Sequence, residues 1–388
     1  MPGESQLDRP SKKVTGFYKP APRSVPRKTG ISSIYGRYDR KPEQGRPSLP
    51  SVTSREWRLK SRPVGEPTHQ NFEMATVEAP EPGEGQIQVQ NLWMTVDPYM
   101  RGRMNDVRSY SPPFELGEVM GGGAVGKVLA SRDPAYKVGD LVSSFAGWRE
   151  AFTAEPKAAG VSKLPNLPLP PEAFLGVAGM PGLTAYAGLL KLGEPKPGET
   201  VFVSGAAGAV GSLVVQIAKI KGCYVVGSAG GKEKCDFVKS LGADAVVDYK
   251  AAGPGAGLSA ALRAAAPKGV DVYFDNVGGD HLTAAIDCAN INARMPICGM
   301  ISIYNATKPP PGPHNMAMII GKRLKIWGFL VSDHYDMQPA FVKDMSEWMA
   351  AGKIRYEETV MNGIEKAPDA FLALFSGGNT GKMLVKLA

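Results

Sequence analysis

The chain has 388 residues, room for two or three domains around a large core, and no apolar run approaches the ~18 residues of a helical membrane span. Its four cysteines (Cys223, Cys235, Cys288 and Cys298) form no C-x-x-C pair, which fits reduced structural thiols in a reducing, cytoplasmic compartment. The formal charge is +8, but residues 1–50 hold eleven Lys/Arg against four Asp/Glu, so the folded body is nearly neutral and offers a nucleic acid little.

Residues 1–50 contain eight prolines, scattered Gly and Ser, few large aliphatics and no periodicity. Such a segment cannot bury enough surface to offset its ordering entropy, and it reads as a disordered basic arm. An organellar transit peptide is the other reading of its charge, but prolines interrupt any amphipathic helix there. Order is expected from about Trp57. Gln86–Gln90 alternates polar and apolar residues, as a strand open to water on one face does. The runs Asn91–Met104, Gly121–Leu129 and Val138–Val142 continue the short strands and Gly/Pro turns of a mostly antiparallel, barrel-like domain. From Gly179 the pattern changes to strands near Val201, Cys223, Ala245, Val270, Arg294 and Leu324, separated by helical stretches. That alternation marks an α/β, doubly wound parallel sheet. Beyond Gly352 short strands return and end in Gly381–Leu387, rejoining the first domain. The expected organisation is therefore an arm at 1–50, a β domain from 51–177 with 350–388, and an inserted nucleotide domain at 178–349.

The chain is arranged around one stretch in the inserted part. Val201–Ser204 is a short apolar strand; Gly205, Gly208 and Gly211 follow at three-residue spacing; Val210, Leu213, Val214, Ile217 and Ala218 then form one helical face. Strand, glycine turn and helix open a dinucleotide-binding unit, in which small residues admit a pyrophosphate to free N–H groups at the helix start. The next strand ends in Ser228-Ala229-Gly230-Gly231-Lys232-Glu233-Lys234, with no carboxylate at its tip and two lysines behind. A carboxylate there would hold an unphosphorylated ribose, so the lysines favour NADP over NAD.

Five runs carry a resemblance to a known family. They are Val96–Met104, Gly179–Tyr186, the turn Gly205–Gly211, Phe274-Asp275-Asn276-Val277-Gly278-Gly279, and Ile297-Cys298-Gly299-Met300-Ile301-Ser302-Ile303-Tyr304-Asn305. Together they resemble the zinc-independent medium-chain dehydrogenase/reductases, in the branch of prostaglandin/leukotriene reductases, alkenal double-bond reductases and bacterial curcumin reductases. Gly230–Cys235 and Tyr304-Asn305-Ala306-Thr307 lean towards the curcumin reductases. The resemblance covers about Ser54 to Leu387 and leaves the arm outside. It implies a Rossmann domain inserted into a GroES-like β-barrel domain, and NADPH-dependent reduction of the C=C bond of α,β-unsaturated ketones and aldehydes. It also implies a homodimer, with no metal, no nucleic acid and no membrane partner.

The same resemblance assigns site residues. Tyr304 would stand at the reacting centre, with Tyr99 facing the substrate from the first domain. Lys234 and Tyr249 would lie near the 2′-phosphate, with Ser228 and Gly230 bordering the adenosine. Asn276 and Gly278 would flank the nicotinamide, and Asn379 would approach from the C-terminal return. Met180, Thr184, Gly205, Ala207, Gly208, Ala209, Val210, Gly299, Ile301 and Tyr304 itself complete the cofactor set. Two other functions remain open. A zinc alcohol dehydrogenase is opposed by Leu116-Gly117-Glu118-Val119-Met120, which lacks the histidine of the zinc enzymes, and by four dispersed histidines. An NADPH-binding scaffold without turnover would be separated from an enzyme by assay with a simple enone.

Overall fold

The computed structural model describes residues 51–388; the arm read from composition lies outside them. Its central layer is a parallel sheet of six strands. Across the sheet they run Ala245–Asp248, Tyr224–Ala229, Thr200–Val203, Val270–Phe274, Ala289–Ile297 and Lys325–Gly328. Every pairing is parallel. All six lie where the sequence placed them, because strands buried on both faces read as continuous apolar runs.

Alternation along a strand sends neighbours to opposite faces. In Thr200–Val203, Val201 and Val203 enter one core with Leu213, Val214 and Ile217 of the helix Gly211–Ile220. Phe202 enters the other, with Leu258, Leu262 and Ile286. All three strand side chains are fully buried, a contribution of about 1.5–3 kcal/mol each over an exposed position. The first strand of this unit thus sits between the second and the fourth. The crevice opens where strand order reverses, at the carboxyl ends of Thr200–Val203 and Val270–Phe274.

The second sheet has seven strands and is mostly antiparallel. Its path runs Glu358–Asn362, Lys382–Lys386, Ile87–Thr95, Ala124–Ser131, Leu141–Ser144, Ser162–Lys163. Ala151–Ala154 pairs with the start of Ile87–Thr95, while Lys382–Lys386 pairs with its end. The C-terminal return therefore joins this sheet beside Ile87–Thr95. A separate antiparallel pair, Val52–Leu59 with Phe72–Ala79, completes this part.

The expected barrel is not closed among the described residues. Its path ends at Ser162–Lys163, two exposed residues, and the chain then runs through Pro165, Pro168, Pro170 and Pro171. Prolines lack the N–H that a closing ladder requires, so the edge stays open. Lastly, no described helix is long and apolar enough to cross a membrane.

Candidate cofactor and active site

At the glycine turn the backbone itself dictates the residues. Gly205 has φ +58°, a left-handed conformation, and faces Asn276 and Val277 across the crevice. A Cβ on Gly211 would collide with the Gly205 carbonyl, so only glycine lets the helix start this close to the turn. Ala207, Gly208 and Ala209 line the turn, and Val210 precedes the first residue of the helix Gly211–Ile220. The C-terminal return meets this turn directly. Gly381 N donates to Ala207 O at 2.7 Å, and Asn379 Nδ2 donates to Gly381 O at 2.8 Å.

Beyond the turn stand Ser228, His281, Tyr249 and the lysines Lys234 and Lys250. Ser228 is buried, with Oγ 2.9 Å from His281 Nε2, and burial lowers the His281 pKa to about 4, so its ring is neutral. The Tyr249 ring stands edge-on to His281 at 5.3 Å. A Cβ on Gly230 would lie 2.7 Å from the Tyr249 hydroxyl and 2.9 Å from Lys250 Cε, so glycine keeps this corner open. Lys234 Nζ donates to Gly377 O at 2.8 Å. Burial first, and then the charge of Lys250, lowers the pKa of Lys234.

The structure refines the sequence reading in two ways. Lys232, the other lysine behind the strand tip, turns to Asp236 at 2.5 Å, and the second cation is Lys250 instead. A carboxylate does reach the strand tip, but it is Asp248 from the following strand. Its Oδ1 accepts from Gly231 N at 3.0 Å and from Lys250 N at 3.0 Å, which hold it ionised as a cap. The ammonium groups of Lys234 and Lys250, beside an open glycine corner and a phenol, fit the 2′-phosphate of NADPH, with the charge of Lys250 also felt by Asp248.

The reacting end is built at the tips of the central strands. Asp275, fully buried, accepts at Oδ1 from Tyr273 Oη (2.7 Å), Ser204 Oγ (3.1 Å), Val277 N (2.8 Å) and Gly278 N (2.8 Å). Its Oδ2 has no partner among the described residues, and burial raises its pKa. Asn276 Nδ2 donates to Ser204 O at 2.7 Å, binding the two strand ends together. Gly278, at φ +71°, leaves no space for a Cβ, which would stand 2.8 Å from Met300 Cγ. Ile301 N donates to Asn276 O at 3.3 Å and so closes the loop over Gly299. Cys298 in this loop has its thiol pushed up to about 12, by burial first and by Asp275 second. Thr184 Oγ1 donates to Met180 O at 2.7 Å, one turn back within the helix Met180–Ala187.

Tyr304 Oη accepts from Met300 N at 3.2 Å and lies where a Cβ on Gly299 would approach to 3.1 Å. Burial raises its pKa, chiefly by removing the phenolate from water. Its oxygen is anchored by an accepted hydrogen bond while its own hydrogen has no acceptor among the described residues. Tyr99 precedes the short helix Met100–Arg103, and burial, then Asp97, raise its pKa while Arg103 opposes them. Asp97 is held in a buried pair by Lys382 of the returning strand at 3.0 Å. Tyr110 lies within electrostatic reach of Tyr99, Arg103, Cys298 and Tyr304.

Arg103, Lys250 and His281 do not stand out in the sequence. Only Lys250 leaves a local signal, since it follows Tyr249. A cavity of about 290 Å³ is lined by Tyr99 and Met180 together with Phe145, Phe174, Phe341 and Met345; Tyr304 does not line it. No group of three or more His, Cys, Asp or Glu among the described residues is placed to hold a metal ion.

Two family profiles match the chain: the N-terminal domain of oxidoreductases over residues 55–163, and the zinc-binding dehydrogenases over 209–347. The second name describes the family at large, and this chain has no metal-ligand cluster among its described residues. The chain is 42% identical over 341 residues to the NADPH-dependent curcumin reductase of Escherichia coli, covering 86% of this chain and 97% of that protein. It is 43% identical over 343 residues to the NADP(+)-dependent 2-alkenal reductase of Nicotiana tabacum, covering 87% and 98%. The crystal structure of CurA in complex with NADPH from Vibrio vulnificus superposes with a TM-score of 0.81 at 44% identity, covering 86% and 99%. With two reductases matched over nearly their full lengths at 42% and 43% identity, the chain belongs to the medium-chain dehydrogenase/reductase family.

Proposed function

We propose that this chain is an NADPH-dependent reductase of the carbon–carbon double bond in α,β-unsaturated ketones and aldehydes. One observation carries the chemistry: the Tyr304 phenol is fixed through its oxygen by Met300 N, beside Asn276 and Gly278, with its hydrogen free to donate. The relatives, a 2-alkenal reductase and a curcumin reductase, supply the substrate class. NADPH, when bound, supplies the hydride that the electron-poor β-carbon accepts.

Charge then gathers on the carbonyl oxygen as an enolate, and a donor already aimed at that oxygen stabilises it most. Tyr304 is suited to this because burial keeps it protonated at neutral pH. It donates without carrying charge, which spares the site a buried ion. Tyr99 forms the facing wall and is held neutral in the same way. Lys234, Lys250, Tyr249 and Gly230 would hold the 2′-phosphate, and Gly205, Gly208 and the start of the helix Gly211–Ile220 the pyrophosphate. Ser228, Met180, Thr184, Asn276, Gly278, Gly299, Ile301 and Asn379 would border the rest of the cofactor. A domain division at 51–177 with 350–388 and 178–349, a homodimer, and a cytoplasmic location belong to the same reading.

The test is a panel of short alkenals, long-chain enones and diaryl enones, followed by NADPH absorbance and by mass spectrometry of the product. The saturated carbonyl, formed when the enolate takes up a proton from solvent at its α-carbon, is the expected product. Binding of NADPH without turnover of any enone would favour the scaffold, and formation of an allylic alcohol would favour carbonyl reduction.

A further inference from the structure

The guanidinium of Arg101 has no part in the chemistry proposed for Tyr304 and Tyr99, yet it is 3% exposed. It lies in the helix Met100–Arg103, two residues after Tyr99, and burial lowers its pKa. Its fork is committed to neutral acceptors. Nε donates to Asn305 Oδ1 at 3.0 Å, one terminal nitrogen to Asn105 Oδ1 at 2.7 Å, and the other to Gly65 O at 2.8 Å. No carboxylate among the described residues lies within ion-pair distance of it. Burying a cation without a counter-charge is unfavourable, and an apolar side chain could fill the same volume at less cost.

What the cation gains is a junction of three segments that are remote in sequence. Gly65, at φ +77°, ends the turn whose carbonyl faces Arg101, and a Cβ there would lie 3.3 Å from Thr307 Cγ2. Thr307 and Asn305 both belong to the loop that carries Tyr304. Within that loop the phenol is anchored only locally, to Met300 N. Its register against the part of the chain bearing Tyr99 depends on the contacts at Gly65 and Asn305.

Resting on the reading of Tyr304 as the hydrogen-bond donor, we infer that Arg101 is a positioning residue: through Asn305 it sets the placement of Tyr304 relative to Tyr99. The two phenols are then linked by one rigid path, from Tyr99 along two residues to Arg101, across one hydrogen bond to Asn305, and back one residue to Tyr304. Loss of that link leaves both groups present but lets their spacing wander. Small misplacements of this kind cost on the order of ten- to a hundred-fold in rate.

Arg101→Ala opens a void and leaves polar groups stranded, so the informative variants are at Asn305. Asn305→Ala, Asn305→Asp, Tyr304→Phe and the double variant Asn305→Ala/Tyr304→Phe are prepared in the full chain. Turnover of a 2-alkenal is measured at saturating NADPH, with NADPH deuterated at the transferred position to confirm that hydride transfer limits the rate. NADPH affinity and melting temperature are measured alongside. Asn305→Ala should lower kcat roughly ten- to a hundred-fold with NADPH affinity unchanged, and Asn305→Asp, which keeps an acceptor for Nε, should restore most of it. In the Tyr304→Phe background the further loss from Asn305→Ala should be under about three-fold, because both changes remove one function. A folded Asn305→Ala at the unmutated rate, beside a slow Tyr304→Phe, overturns the inference alone. So does a full second loss in the double variant, which would mean that the contact supports the fold and not the phenol. Tyr304→Phe at the unmutated rate overturns the donor reading itself, and the positioning role with it.

Discussion

The two ends of the crevice solve opposite electrostatic problems. At the end proposed for the adenosine, burial and the charge of Lys250 disfavour the charge of Lys234, and Lys234 forms no ion pair with a carboxylate among the described residues. At the end proposed for the reaction the candidate donors are neutral: burial raises the pKa of Tyr99, Tyr110 and Tyr304, with the Arg103 guanidinium opposing it at the first two, and Cys298 is held as a thiol. The first arrangement favours an anion that is present throughout binding. The second withholds its strongest interaction until charge develops on the substrate. A site divided in this way uses charge for recognition and neutral donors for the transition state. Substitutions at the two ends should therefore affect different kinetic constants.

The largest expected effect is on turnover. Tyr304→Phe keeps the ring and its packing but removes the donor, and loss of one such donor costs ~10²–10³ in kcat. The ribose of a bound cofactor can also donate to the same oxygen, so a fall of roughly ten- to a thousand-fold is expected, with NADPH affinity intact. Stopped-flow turnover of an enone checks it, with Tyr99→Phe measured beside it. If Tyr304→Phe is unimpaired and Tyr99→Phe is slow, the role passes to Tyr99.

Next is cofactor choice. A charge-assisted contact contributes ~1.5–3 kcal/mol, which places the preference for NADPH over NADH between about ten-fold and about 150-fold. Lys234→Ala should raise the KM for NADPH by most of that factor and leave kcat and the KM for NADH nearly unchanged. Lys250→Ala should act in the same direction, whereas Lys232→Ala, whose partner is Asp236, should not. Equal use of both cofactors by the unmutated chain would break the comparison at its charged end.

A third effect falls on stability. His281 is buried neutral, with its pKa lowered from 6.5 to about 4. A lowered pKa means that the unfolded chain takes up this proton first as pH falls. The stabilisation is thus complete above about pH 6.5 and is lost progressively between there and pH 4, at most about 3 kcal/mol. Chemical denaturation at several pH values should show a shallower loss in His281→Gln than in the unmutated chain. Equal slopes would place the acid-sensitive group elsewhere.

Much of this is legible in the sequence because it is local. The six parallel strands announce themselves as buried runs, and the turn Gly205–Gly211 as a backbone that excludes side chains. The edge of the second sheet is not legible in that way, since its opening depends on which segments come to lie beside Ser162–Lys163 in space. That Lys250 and not Lys232 joins Lys234 is not legible either, because it depends on the pairing of Lys232 with Asp236. Tyr110 and Arg101 acquire partners more than a hundred residues away, at Cys298 and Asn305. No periodicity records such meetings.

The smallest expected effect is none at all, and it bears on the neutral end. Where a zinc enzyme would polarise the carbonyl with a cation, this site presents phenols, and the segment Leu116–Met120 supplies Glu118 but no histidine. Cys298, a thiol held protonated by burial and by Asp275, stands in no group of three or more possible metal ligands among the described residues. Dialysis against a strong chelator should leave turnover, NADPH affinity and melting temperature unchanged, and metal analysis should find no stoichiometric zinc. One zinc per chain, with turnover lost on its removal and restored on its return, would mean that a cation and not a phenol carries the developing charge. The contrast between the two ends of the crevice would then collapse, since both would work by fixed positive charge.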